Sequence, residues 1–177
     1  MDSDFPWYGL VQSSDELEQG DLLFGCPVVS YAPEIGFPIA KETIPAVKAI
    51  FDVVVMSQSC DLVNEKISDV MLCPHWDLGR ATETDPALKK AQEAIRKGQL
   101  YRNLLLAESE IQERQMNVRI VDFGRIFCLP KKFVKQVAAG QMPRLRLLPP
   151  YREHLSQSFA RFFMRVGLPK DVSLKSS

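Results

Sequence analysis

The 177-residue chain lacks net charge, with 22 Lys and Arg against 22 Asp and Glu. No global field of one sign therefore steers it toward nucleic acid or an anionic surface. It also lacks a long apolar run. The best stretch, Ala49 to Met56, is broken by Asp52, so no membrane-spanning helix is expected. Paired cysteines are missing too: Cys26, Cys60, Cys73 and Cys128 lie far apart with no Cys-x-x-Cys spacing. Free thiols in a reducing cytoplasm are expected rather than a disulfide framework. The first residues, Met1-Asp2-Ser3-Asp4, are acidic where a signal peptide is basic, so a cytoplasmic protein without membrane contact is expected. No Walker A loop, Gly-x-Gly-x-x-Gly, Gly-x-Ser-x-Gly or His-Glu-x-x-His motif occurs, which removes most support for the nucleotide-binding and hydrolase superfolds. What is present is ordinary globular material, 46% apolar and 25% charged, enough for one domain with its own core.

Zero net charge hides an asymmetry. From Met1 to Ala40 there are seven acids and no Lys or Arg, while Arg125 to Arg165 carries nine bases and one acid, Glu153. Two explanations compete. Either the acidic arm folds over the basic end and the charges neutralise internally, or the basic end meets a polyanion such as RNA, DNA or an acidic protein. Under the second, Arg125, Arg144, Arg146, Arg161 and Arg165 are the anion-binding candidates.

The element pattern is strand-rich. Gly20-Asp21 turns into a strand at Leu22-Leu23-Phe24, bent by Gly25 and Pro27, which Val28 to Tyr31 continues. Ala32 to Pro45, with three prolines, reads as a loop. Ala46 to Met56 is a β-branched run expected to be a central strand buried on both faces. Val70 to Cys73 is a strand stopped by Pro74. Thr84, Asp85 and Pro86 open a helix that Gly98 ends. Leu100 to Ala107 is a strand or a strand-like apolar run, Val118 to Phe123 is a strand, Ile126 to Leu129 pairs after a kink at Gly124, and Pro130 to Ala138 is a short helix. The C-terminal helix runs from Pro149-Pro150 to Val166. Its stripe of Leu155, Phe159, Phe162, Phe163 and Val166 marks one apolar face.

Chemistry-bearing side chains concentrate where the Val-rich strand ends. Ser57-Gln58-Ser59-Cys60-Asp61 offers hydroxyls, an amide, a thiol and a carboxylate at a strand rim, a common place for functional loops. The same residues also suit a polar turn that satisfies its own backbone. Asp61 would raise the pKa of the Cys60 thiol rather than lower it, so nucleophilic catalysis by Cys60 is not expected. Cys60, Cys73 and His75 are a candidate zinc set, short of a fourth ligand. No cofactor is expected.

The succession Gly20-Asp21-Leu22-Leu23, Val53 to Ser57, and Val70 to Pro74 resembles the core of the MazF/PemK family of small bacterial β-barrel toxins. Val121-Asp122-Phe123-Gly124-Arg125 and the short helix after it are similar to that family's last strand and helix. The resemblance covers about a third of the chain. It implies an α+β protein built on a small closed β-barrel of the Src-homology-3 type with peripheral helices and a C-terminal amphipathic helix. The single domain would have its barrel core at about 19–129 and a helical extension at about 130–169. Family members are sequence-selective endoribonucleases, usually dimeric and held inactive by an antitoxin, so a homodimer and an RNA or protein partner encoded nearby are implied. Where the family places a catalytic Arg before Pro, this chain has Phe51 and Asp52. Where the family has Thr or Ser after the third strand's Pro, it has His75. Without the Arg a phosphorane-like transition state loses its main cationic stabiliser. The expectation is a PemK-like accessory protein that binds a partner or nucleic acid, with RNA cleavage lost or altered and a rim site of Ser57, Gln58, Asp61 and His75. The alternatives are an active endoribonuclease using His75, and a zinc- or thiol-dependent structural module.

Overall fold

The structure, a computed structural model, describes residues 5–12, 14–31, 46–141 and 143–164. In chain order the elements are β1 (Tyr8–Val11), β2 (Leu22–Tyr31), β3 (Ala46–Val55), α1 (Ser59–Val63), β4 (Asp69–Asp77), α2 (Leu78–Thr84), α3 (Pro86–Arg96), β5 (Asn103–Leu106), β6 (Arg119–Asp122), β7 (Phe127–Pro130), α4 (Lys131–Ala139), β8 (Arg144–Leu147) and α5 (Tyr151–Phe163), with a 3-10 turn at Gln112–Arg114. The content is α+β, and every strand pair is antiparallel.

The expected closed barrel is not what forms. Among the described residues the strands make a two-stranded sheet, β1-β8, and a six-stranded sheet ordered β2-β3-β4-β6-β5, in which β7 pairs β4. An isolated bridge between Asp21 and Arg146 joins the two. The reason lies in β4, which pairs β7 over Asp69 to Leu72 and β6 over His75 to Asp77. The last two barrel-like strands thus fasten to successive stretches of one neighbour. The path ends at β5, whose outer edge runs along a groove and, among the described residues, meets no further strand.

Local chemistry explains most elements. Gly20 sits at φ +84, a left-handed turn conformation that glycine adopts freely, and it lets Leu147 N donate to its carbonyl. Gly25, at φ +63, accompanies the register shift between Leu23 and Cys26, so β2 bends and continues. Asp85 caps α3 by accepting from Ala87 and Leu88, with Pro86 in the first turn. That places the cap one residue beyond Thr84, which ends the additional helix α2. Pro74 does not stop its strand. It pairs with Val53 inside β4, at the point where the strand changes partner from β7 to β6, a position where a missing donor is tolerated. The strand expected to be buried on both faces is so only at Val53, Val54 and Val55. Its first half, Ala46 to Phe51, pairs with β2 alone and stays exposed or half-buried. The loop expected at Ala32 to Pro45 lies outside the described residues, as do Val166 and the expected end of the last helix.

Three apolar clusters make the core. α5 lays Leu155, Phe159 and Phe162 on the cluster around Val54, Val121, Phe123 and Leu147, while Phe163 of the same stripe is 56% exposed. α4 covers Leu23, Val55 and Leu72 with Val134 and Ala138. α3 sets Ile95 against Leu78 and Ile120. Each fully buried aliphatic side chain contributes about 1.5–3 kcal/mol. Among the described residues no helix is long and apolar enough to cross a membrane.

Candidate functional site

The rim loop after β3 is tied to its neighbours by side-chain hydrogen bonds. Ser57 Oγ accepts from Met71 N at 2.9 Å and Ser59 Oγ accepts from Gln19 N at 3.1 Å, while Gln19 Nε2 donates to the Met56 carbonyl at 2.8 Å. Both hydroxyls therefore fasten the loop to β4 and to the segment before β2. Gln58 opens α1 through its carbonyl, which accepts from Asp61 and Leu62. Cys60 is an exposed free thiol beside the Asp61 carboxylate, and Asp61 lies 3.9 Å from Lys66 Nζ. The loop is structural, but not as the self-satisfied turn expected: Ser57 and Ser59 accept from the backbone of other segments, and Asp61 meets Cys60 and Lys66.

His75 is not part of that rim. Ser57 lies against Met71, four residues earlier on β4, or about 13 Å of strand. The structure does not bring Ser57, Gln58 and Asp61 together with His75. Instead His75 is fully buried, and its Nδ1 accepts from Arg119 Nε at 3.0 Å. The tautomer is thereby assigned, with the proton on Nε2. Arg119 is ion-paired to Asp52 through Nη2, and Asp52 Oδ1 also accepts from Gly25 N at 2.9 Å. Phe24 meets the imidazole edge-on at 5.5 Å and carries the guanidinium groups of Arg114 and Arg119 at 5.3 and 5.6 Å from its centroid. Burial, followed by the Arg119 charge, drives the His75 pKa down to about 3, with the Val53 backbone opposing weakly. A general base must reach a substrate proton and titrate near working pH. His75 is sealed and stays neutral, so this cluster is built for structure. Asp52 and Arg119 were missed as its partners. The signal was there in Asp52, a lone carboxylate inside a β-branched run, which needs a cation if any of it is buried.

The zinc set finds no geometry either. Cys73 is buried and its thiol is pushed up to about 12 by burial, whereas Cys60 is exposed. Among the described residues no group of three or more His, Cys, Asp or Glu converges on a point.

Of the basic candidates, two are engaged internally. Arg144, 1% exposed, donates to Asp21 Oδ2 and to the carbonyls of Asp15 and Glu16. Arg146 pairs with Asp21 and Glu18. The acidic arm does fold over this part of the basic end. Arg125 lies over the Phe51 ring at 5.2 Å. Arg165 lies outside the described residues.

Arg161 has a different setting. With His154 and Ser158 of α5 it lines a groove of about 800 Å³ that runs along β5 from Asn103 to Ala107. One wall is Trp7, stacked on Tyr151 at 3.7 Å, and the other is Leu78, Ile95 and Leu100. Arg96 and Lys97 complete the charged lining, which holds no Asp or Glu. Burial, then the Arg161 charge, lowers the pKa of His154. A second cavity of about 530 Å³, lined by Trp76 and Leu88, shares Ile95, Leu100 and Asn103 with it. Sequence reasoning missed the groove because its walls come from elements more than fifty residues apart. Only the period of α5 and the apolar Leu104-Leu105-Leu106 hinted at it.

No family model matches this chain, and no curated protein is similar to it.

Proposed function

We propose that this is a binding protein without catalytic activity, a PemK-like accessory protein in which RNA cleavage is lost, and that it engages a protein partner through the groove along β5. The groove carries the reading: two apolar walls, a strand edge as floor, and a lining that includes Arg96, Lys97 and Arg161 but no carboxylate, the first two being paired to Glu93 outside it. Ligand sites combine this kind of apolar lining with a few placed polar groups. Three further facts support it. Phe51 and Asp52 replace the family's Arg-Pro, His75 is sealed and neutral, and Arg144 and Arg146 are occupied by Asp21. A nucleic-acid contact would have to break buried ion pairs to use those two arginines, which favours a protein partner.

The test uses a photo-crosslinking amino acid at Tyr101, which lines the groove, and at Val63, which is exposed on α1. A protein crosslinked from Tyr101 and absent from Val63, whose purified form then shifts the emission of Trp7, is the expected result. RNA crosslinked from Tyr101, or RNA cleaved by the purified protein, would overturn the proposal.

A further inference from the structure

We infer that the outer edge of β5 is a receiving strand, which takes an extended acidic segment of a partner protein by β-addition, with a carboxylate of that segment meeting Arg161. The inference rests on the groove reading above and names what fills it.

Phe123 N donates to Arg102 O at 2.9 Å, so residues 102 and 123 form a hydrogen-bonded pair. Antiparallel alternation then turns the polar groups of Leu104 and Leu106 toward Val121 and Arg119, their partners in β6, and those of Asn103, Leu105 and Ala107 outward. Asn103 N donates to Leu100 O, and Ala107 O accepts from Tyr8. Among the described residues, that leaves the N–H and C=O of Leu105, the C=O of Asn103 and the N–H of Ala107 without a partner, on the groove side. Proteins ordinarily protect such an edge with lysine, proline, a bulge or a covering element. β5 reads Asn-Leu-Leu-Leu and has none of the first three, and its outer side is groove.

The charge selects the occupant. Arg96 and Lys97 share the Glu93 carboxylate, while Arg161 has no ion-pair partner among the described residues. A second copy of this chain would bring another Arg161, and two cations already paired to Glu93, to the same edge and no carboxylate from the lining, so self-association there leaves Arg161 unmatched. A peptide with alternating acidic and apolar residues satisfies all three features at once: the main-chain ladder, the walls and the cations. β-Addition has this division of labour, with affinity from the ladder and specificity from alternate side chains. Four residues of strand, about 13 Å, set the length of the recognised segment.

The probe is a terminally blocked eight-residue peptide alternating Glu and Val, titrated into the full chain with Trp emission and peptide anisotropy as readouts. Two backbone-methylated versions carry N-methyl groups on the Glu set or on the Val set. In β-addition only one set donates to β5, so methylation of one set weakens binding at least about tenfold and methylation of the other leaves it within about twofold. A Lys-for-Glu peptide fails to bind, and Arg161→Glu weakens the parent peptide about tenfold. Equal sensitivity to the two methylations overturns β-addition while leaving a groove that binds peptides. No binding of any peptide, with salt-sensitive binding of single-stranded oligouridine instead, overturns this inference and the reading beneath it. Because the decisive change is made in the peptide, a variant that fails to fold does not blunt the test.

Discussion

At the β8 seam Arg144 and Arg146 donate to Asp21, Glu18 and the carbonyls of Asp15 and Glu16, whereas in the β5 groove Arg161 stands over apolar walls with no carboxylate among the lining residues. Both regions place arginine against a sheet. In the first, the acid comes from the same chain and the Asp21 carboxylate is completely buried. In the second, the lining supplies no acid of its own. A charge matched inside the fold acts on stability, and one left unmatched at a groove is available to a partner. The +8 of the basic segment is therefore not one feature but at least two.

The largest test breaks the sealed region. Asp21→Ala leaves two guanidinium groups facing an empty buried site, and removing one partner of such a pair costs about 3–5 kcal/mol. Urea denaturation measures it. A midpoint unchanged from wild type would mean that the seam contributes nothing and that the arginines are as free as Arg161.

A second test acts on the other sealed cluster, Asp52–Arg119–His75. An ordinary histidine titrates near 6.5 and His75 near 3. Between those values the unfolded chain takes up a proton that the folded chain refuses. The contribution of neutral His75 is therefore complete above pH 6.5 and is lost as pH falls toward 3, a change of order a few kcal/mol. His75→Gln should flatten the pH dependence of urea stability in that window, because the carboxylates titrate in both proteins. Equal slopes in the two proteins would show that His75 gains a proton without unfolding, and so would reopen it as an acid or base.

How far the sequence carried these regions differs for a physical reason. Local signals were readable: the Gly25 bend in β2, the Asp85-Pro86 opening of α3 and the period of α5 all depend on residues a few positions apart. The neutralisation of Arg144 and Arg146 was one of two weighed outcomes, since composition shows the balance of charge but not which acid meets which base. Barrel closure and the pairing of Ser57 with His75 were misjudged for a shared reason. Both required knowing how strands pair over long separations, and β4 continues through Pro74 and changes partner there. β1 and β8 gave no clear pattern because each is four residues long.

The finest test separates the two kinds of arginine directly. Arg146→Glu sets a carboxylate against Asp21 and Glu18 and should destabilise by several kcal/mol, since it removes a partner and adds repulsion. Arg161→Glu makes the same chemical change where no ion pair exists among the described residues and the side chain is exposed, so stability should stay within about 0.5 kcal/mol of wild type. Thermal and urea melts of the two variants under one set of conditions decide it. If Arg161→Glu unfolds the protein as Arg146→Glu does, Arg161 belongs to the scaffold and the groove has lost the cation that selects an acidic segment. If it melts as wild type while losing the acidic peptide, the charge at that position serves recognition alone.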